Sequence, residues 1–282
     1  MRIKEMSFRV LNASLLFLHR MLLRTYGVGT AYTTQKAQIS VSFEGSQFHY
    51  AIRRFGATGN LDFTETDETA TRSALIARLR PEDVFYDIGA HGGVFTVTTQ
   101  HQVRGLRVIS FEPQPKELLL NLELNDMSTE QVYAVAVGEQ ADRVRMTSGK
   151  RSSNHLSASG DVEVDCVRLD DFRREKGLPA PSWVKIDIEG MELPALKGFA
   201  ETLSVSKPVV ICEINHVFDR FGTRLQDLIG FFAGMGYEVL AQHTSGFQHA
   251  QTEATTLEAL GHSADDNFWF VPNEKLPLFI TT

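Results

Sequence analysis

From Val84 to Val271 the sequence repeats one unit: a short apolar run, a turn rich in glycine or acid, then a stretch of helical period. Runs such as Val209-Val210-Ile211-Cys212 are apolar on consecutive residues rather than on alternate ones. A strand of that kind has both faces buried, as in a parallel sheet covered by helices. The pattern predicts strands at Val84–Ile88, Arg107–Phe111, Val132–Val137, Trp183–Ile188, Val209–Ile214, Tyr237–Gln242 and Phe268–Val271. Helices are predicted at about Val94–Gln102, Pro115–Asn125, Leu193–Leu203 and Arg224–Met235. Such alternation specifies a doubly wound α/β fold, here a mostly parallel, seven-stranded, Rossmann-like sheet. Only a loop-like segment separates the last two strands, so Phe268–Val271 is expected to close a C-terminal antiparallel hairpin.

The alternation breaks between Val137 and Trp183. Arg143–Met146 and Val162–Arg168 read as extra antiparallel strands around the polar loop Ser148–Gly160, a natural place for substrate recognition. Ahead of Pro81, residues Ile39 to Asp62 alternate apolar and polar around Glu44-Gly45-Ser46, as a β-hairpin does. A helix follows, capped by Thr66 or Asp67, with Ala70, Leu75, Ile76 and Leu79 as its apolar stripe. Two regions result: residues 1–80, an N-terminal helix and β-hairpin extension, and residues 81–282, the α/β domain.

Charge and cysteine usage narrow the function classes. The formal net charge is −7 and no Lys/Arg tract interrupts the body of the chain, which argues against a nucleic-acid partner. Cys166 and Cys212 both lie in apolar runs without metal-ligand spacing, so both read as buried thiols in a reducing compartment. The segment Phe8 to Tyr26 carries Leu15, Leu16, Phe17, Leu18, Met21, Leu22 and Leu23, but His19, Arg20 and Arg24 interrupt it. It falls short of the ~20 apolar residues of a spanning helix. It reads as an amphipathic helix that packs on the protein or a dimer partner, with peripheral membrane contact as the alternative. The chain is expected in the cytoplasm, at most at a membrane surface.

Three strand ends carry the chemistry. In Asp87-Ile88-Gly89-Ala90-His91-Gly92-Gly93, a buried strand runs through a glycine turn into a helix. Glycines let a backbone approach a ligand, and the helix start offers unpaired N–H groups. The acid before the first glycine and the missing Gly-x-Gly-x-x-Gly spacing disfavour a pyrophosphate-bearing nicotinamide cofactor. A carboxylate there suits the ammonium, or the bound waters, of a zwitterionic sulfonium cofactor. The next strand ends in Phe111-Glu112-Pro113, where an acid can accept both hydroxyls of an adenosine ribose. The third, Lys185-Ile186-Asp187-Ile188-Glu189-Gly190-Met191-Glu192, clusters carboxylates that would repel one another without a functional reason. Glu213, Asn215 and His216 close the strand that follows.

In this order and spacing, from about Pro81 to Pro272, the motifs resemble the FkbM-type S-adenosylmethionine (SAM)-dependent methyltransferases. Ala134-Val135-Ala136-Val137-Gly138, Val167-Arg168-Leu169-Asp170-Asp171, Val209–Asn215 and Asn267-Phe268 extend the resemblance. Lys-Ile-Asp-Ile-Glu-Gly is its most discriminating piece. His91 stands where the family usually has Asn, and Gly92 where a branched residue is common. The resemblance implies methyl transfer from SAM to an oxygen, often a hydroxyl of a sugar, glycan or natural product. It implies that Asp87, Gly89 and Gly93 line the methionine half, that Glu112 holds the ribose, that Ala90, His91 and Pro113 also belong to the cofactor site, and that Asp187 lies near the sulfonium and the acceptor.

An alcohol needs a base, and Asp187, Glu189, Glu213 and His216 all stand at the ligand edge of the sheet. His216 matches best in ordinary pKa, and His155 in the polar insertion is a second histidine candidate. Metal-independent base catalysis is expected; the competing arrangement is a Mg²⁺ held by Asp187, Glu213 and Asn215. Two alternatives stay open: a non-catalytic SAM-fold recruiting module, and an N-methyltransferase.

Overall fold

A computed structural model describes residues 38–51, 53–55, 60–62, 68–147, 159–214, 222, 225–243, 246–250 and 267–280. The N-terminal helix expected over Phe8–Tyr26, Thr66, Asp67 and the loop 148–158 lie outside these residues.

The strands are β1 (Gln38–Phe43), β2 (Ser46–Ala51), β3 (Arg53–Phe55), β4 (Asn60–Asp62), β5 (Val84–Ile88), β6 (Arg107–Phe111), β7 (Val132–Tyr133), β8 (Ala136–Gly138), β9 (Asp142–Met146), β10 (Val162–Arg168), β11 (Trp183–Ile186), β12 (Val209–Glu213), β13 (Tyr237–His243), β14 (Gly246–His249) and β15 (Asn267–Pro272). The helices are α1 (Thr69–Ile76), α2 (Val94–Gln102), α3 (Lys116–Leu124), α4 (Leu169–Lys176), α5 (Glu192–Lys197), α6 (Ala200–Ser206) and α7 (Leu225–Ala233).

The main sheet has eight strands in the order β14-β13-β15-β12-β11-β5-β6-β7. Its five strands from β12 to β7 are mutually parallel, and β15 runs antiparallel to both neighbours, β12 and β13. The central strands are buried on both faces, as their unbroken apolar runs require. Val84, Tyr86, Ile88, Val184, Ile186, Val210 and Cys212 face a core shared with α5 to α7. Phe85, Trp183, Ile211 and Trp269 face Leu75 and Leu79 on the other side.

Several expectations change. The count is eight strands, because Gly246–His249 adds an edge strand, so β13 and β15 pair without forming a direct hairpin. The single strand expected over Val132–Val137 divides: β7 ends the main sheet, and β8 joins β10 and β9 in a separate three-stranded sheet. Ala136, Met146, Val164 and Cys166 give that small sheet its own core. Gln114 Nε2 donates to the Thr147 carbonyl at 3.1 Å, tying its edge to the turn after β6. The helix expected over Leu193–Leu203 breaks in two at Gly198-Phe199, and glycine is required there because a Cβ at residue 198 would overlap the Gly138 carbonyl. Helix α4, unread in the sequence for want of apolar spacing, is held by Asp170. Its buried carboxylate accepts the Glu201 and Thr202 N–H groups at 2.9 and 3.0 Å and so caps α6. The residue at the start of α1 is Glu68, left-handed at φ 57°, rather than Thr66 or Asp67.

The hairpin β1–β2 lies against the catalytic region. Phe43, Phe48 and Tyr50 pack with Ala90, Val97, Leu118 and Leu122 of the first glycine turn and of α2 and α3. Asn125, just past α3, pairs its side-chain amide with the backbone of His49: it accepts the N–H at 2.9 Å and donates to the carbonyl at 2.7 Å.

Candidate active site

Strands β5, β6, β11 and β12 deliver their carboxyl ends side by side, the edge at which open α/β sheets bind ligands. After β5 the chain turns sharply. Gly89 and Gly93 have φ of 82° and 83°, and a Cβ on Gly89 would overlap the backbone carbonyl of Asp187. Glycine at 89 is thus a condition for strands β5 and β11 to end in contact. His91 is left-handed too, at φ 47°. Asn and His are among the side chains that tolerate this conformation, which accounts for His91 standing where Asn is usual. The N–H groups of Gly89 and Ala90 donate to the Phe111 carbonyl at 2.9 and 3.3 Å, locking this turn to the end of β6.

Glu112 is fixed by the same turn. Its Oε2 accepts the His91 N–H and its Oε1 the Gln114 N–H, both at 2.9 Å. Burial raises its pKa, while these two N–H groups oppose the rise. Each oxygen keeps a lone pair, so an oriented acid remains able to accept two hydroxyls. Pro113 follows, half-buried. This pair of oriented acceptors fits the ribose of an adenosine cofactor.

Asp87 lies beneath the turn at 2 % exposure. It accepts from Thr96 Oγ1 at 2.6 Å, and Ser110 Oγ lies 2.8 Å from the same hydroxyl. Because Thr96 spends its only proton on Asp87, Ser110 is the donor of that second bond. Burial pushes Asp87 up to about 6, against the Thr96 bond and the charge of Lys185.

Lys185 organises the rest. It stands opposite Asp87 in the ladder, is 2 % exposed, and places its ammonium 3.2 Å from Asp187 Oδ2 and 3.1 Å from Glu68 Oε1. The Phe95 ring lies 4.8 Å away. Burial alone would lower its pKa; Asp187, Glu68, Glu213 and Asp87 outweigh burial and hold it above the ordinary lysine value. Asp187 is a quarter exposed. Burial would raise it, but Lys185 and a hydrogen bond from Glu213 hold it below the usual carboxylate range. Glu213 shows the opposite: burial, then the Asp187 charge, push it up to about 10. The two acids are hydrogen-bonded and titrate as a pair, with Glu213 the member pushed up and Asp187 the member held down.

The structure thus brings together Asp187 and Glu213, with Asp87 behind them, and sets Glu112 beside the His91 turn. Glu189 takes the left-handed position (φ 58°) of the turn after β11. Glu192 is a brace: its Oε1 accepts the Ile188 and Gly190 N–H groups at 3.0 and 3.2 Å, and burial pushes it up to about 7. His216, Asn215 and His155 lie outside the described residues. The sequence reading missed Glu68, Thr96 and Asn267 as partners in the site. The one available signal was Lys185, a cation in an apolar strand that needed buried anions. A cavity of about 560 Å³ opens between α5 and α7, lined by Leu193, Pro194, Lys197, Gln226, Asp227 and Phe231.

The methyltransferase FkbM domain profile matches residues 87–239, more than half of the chain and the whole of this acid-lined sheet edge. The chain belongs to the FkbM methyltransferase family. It is a methyltransferase, and SAM is its cofactor. It is similar to the 31-O-demethyl-FK506 methyltransferase FkbM of Streptomyces tacrolimicus, at 26% identity over 58% of this chain and 76% of that protein. It is also similar to the hexuronic acid methyltransferase AglP of Haloferax volcanii, at 25% identity over 50% of this chain and 59% of that one. A crystal structure of an FkbM methyltransferase from Methylobacillus flagellatus KT aligns with a TM-score of 0.48 at 22% identity, over 68% of this chain and 44% of that chain. The chain thus spans less than half of that crystallised protein and about three-fifths of AglP.

Proposed function

We propose that this methyltransferase acts on a hydroxyl oxygen of a sugar, glycan or natural product, with the Asp187–Glu213 pair receiving the hydroxyl proton. The observation that carries the reading is that pair: Asp187, hydrogen-bonded to Glu213 and 3.2 Å from a buried ammonium, at the ligand edge of the sheet. SAM, when bound, supplies the methyl group on a positively charged sulfonium. Glu112 and the Gly89–Gly93 turn would hold its nucleoside and methionine ends. Asp187 accepts the proton of the acceptor hydroxyl as the oxygen attacks, and Glu213 steadies it by donating its own. A positioned base of this kind contributes typically ~10²–10⁴-fold. Lys185 already occupies the Asp187 carboxylate on its buried side, which favours base chemistry over a shared cation.

The cavity between α5 and α7 adjoins the helix starts at this edge. Its Lys197, Gln226 and Asp227 offer polar contacts beside the flat faces of Pro194 and Phe231, a lining suited to a hydroxyl-rich ligand. The relatives named for FK506 and hexuronic acid support an oxygen acceptor. The test is transfer of labelled methyl from SAM to a panel of hydroxyl-bearing glycosides in EDTA. Asp187→Asn should lower the rate of any accepted substrate by at least ~10²-fold. Activity lost in EDTA and restored by Mg²⁺, or full activity in Asp187→Asn, would refute it.

A further inference from the structure

Lys185 touches two carboxylates, and one of them lies outside the family-matched residues. Glu68 precedes the matched region by a helix, yet its Oε1 lies 3.1 Å from the Lys185 ammonium and accepts Asn267 Nδ2 at 2.6 Å. Several features fix that approach. The Glu68 backbone is left-handed (φ 57°), a conformation that a residue with a side chain holds only under constraint. Its carbonyl accepts the Arg72 N–H at 3.0 Å, so it is anchored as the first turn of α1. Asn267 is 1 % exposed and stands opposite Glu213 in the β12–β15 ladder. One lysine is therefore gripped from two directions, by Asp187 just past the end of its own strand and by an acid from the N-terminal extension.

We propose that Glu68 is a positioning residue of the methyl-transfer site: by sharing the Lys185 ammonium, it leaves Asp187 its negative charge toward the sulfonium and the acceptor. This rests on the reading of Asp187 given above. The physical reason is charge balance in a poorly screened place. An ammonium held between two carboxylates is neutralised by both, and removing one directs its whole charge at the other. Glu68→Gln is a mild way to do this. Glutamine Oε1 can go on accepting from both Lys185 and Asn267 Nδ2, the two donors that Glu68 Oε1 serves, without the negative charge.

The experiment is calorimetric binding of SAM and of S-adenosylhomocysteine to the full chain. These ligands differ by one methyl group and one positive charge at sulfur, so the ratio of their affinities reads the charge facing that atom. Glu68→Gln should lower the SAM-to-S-adenosylhomocysteine affinity ratio by about fivefold or more, with S-adenosylhomocysteine itself changed by no more than about twofold. A purely structural role would weaken both ligands together, and that result, or an unchanged ratio, overturns the proposal. Glu68→Gln/Lys185→Met deletes both charges of the pair, and its ratio should equal or exceed that of the wild type. A lower ratio in this double variant overturns the proposal even if the single variant does not fold. Failure of the wild type to bind S-adenosylhomocysteine would count against the site itself, a separate result.

Discussion

Gly89 and Gly93 have nearly the same backbone conformation, φ 82° and 83°, but meet different obstacles, and this makes them a matched pair. Alanine at either position must adopt a left-handed conformation, which costs about 1–2 kcal/mol. It regains about 0.4–1 kcal/mol by restricting the unfolded chain. At Gly93 the added methyl would overlap Leu118 Cδ1, the tip of a side chain that can change rotamer. At Gly89 it would overlap the carbonyl of Asp187, main chain held in the ladder between β5 and β11. Relief there means parting two strands, an overpacking cost of about 1–3 kcal/mol. Gly93→Ala should therefore lose about 1 kcal/mol and Gly89→Ala about 2–4 kcal/mol. At 2–4 °C per kcal/mol for a chain near this size, their melting temperatures should differ by about 4–8 °C. Scanning calorimetry reads the stability, and titration of S-adenosylhomocysteine reads the site. Because the strain at Gly89 falls on Asp187, Gly89→Ala should also bind more weakly than Gly93→Ala. Equal losses in the two variants would refute the idea that contact between the strand ends, rather than φ alone, requires glycine.

Glu112→Ala should weaken S-adenosylhomocysteine by more than about tenfold, or 1.4 kcal/mol, in calorimetric titration; unchanged affinity would remove Glu112 from the cofactor site. Glu192 ionises near 7 when folded against an ordinary value of 4.5, so the folded chain binds the extra proton between those values. Its contribution makes stability fall as pH rises through that window, by about 3 kcal/mol in all. Glu192→Gln should flatten the slope measured by urea unfolding at pH 5 and 8, and an unaltered slope would contradict the assignment. Phe48 is fully buried, so Phe48→Ala should destabilise the whole protein by about 3–5 kcal/mol in one cooperative transition. A separate early transition would mean that the hairpin is an independent unit.

The main sheet was legible because burial on both faces writes itself as unbroken apolar runs, and the glycine turn because Asp87 to Gly93 combines a strand end with a helix start. Elements whose stability is not written in hydrophobic period were missed. Helix α4, Leu169–Lys176, buries little beyond Leu169 and Asp170, and depends on Asp170 capping a helix thirty residues later. The β7–β8 division was invisible because Val132–Val137 is continuously apolar while its two halves pair with different sheets. At the candidate site, local motifs singled out Asp187 and Glu112 for attention but gave no sign of Glu68. That partnership spans more than a hundred residues, and a lone glutamate before a helix carries no mark of the lysine it will meet.

The small sheet also bears on how such a chain can diverge. Its ladder bonds stay within β8, β9 and β10, and one face has its own core of Ala136, Met146, Val164 and Cys166, while Val137 and Val167 on the other face pack into the core of the main sheet. Its ends are pinned: Gly138 is pressed against Gly198, and Asp170 is buried against Thr202. Between those pins the chain behaves as a cassette. A related sequence could exchange Glu139 to Asp165 for another length or composition without breaking a hydrogen bond between the parallel strands of the main sheet. Change in that segment is thus separated from the strand ends that set Asp87, Glu112, Asp187 and Glu213, and one can be rewritten while the other is kept.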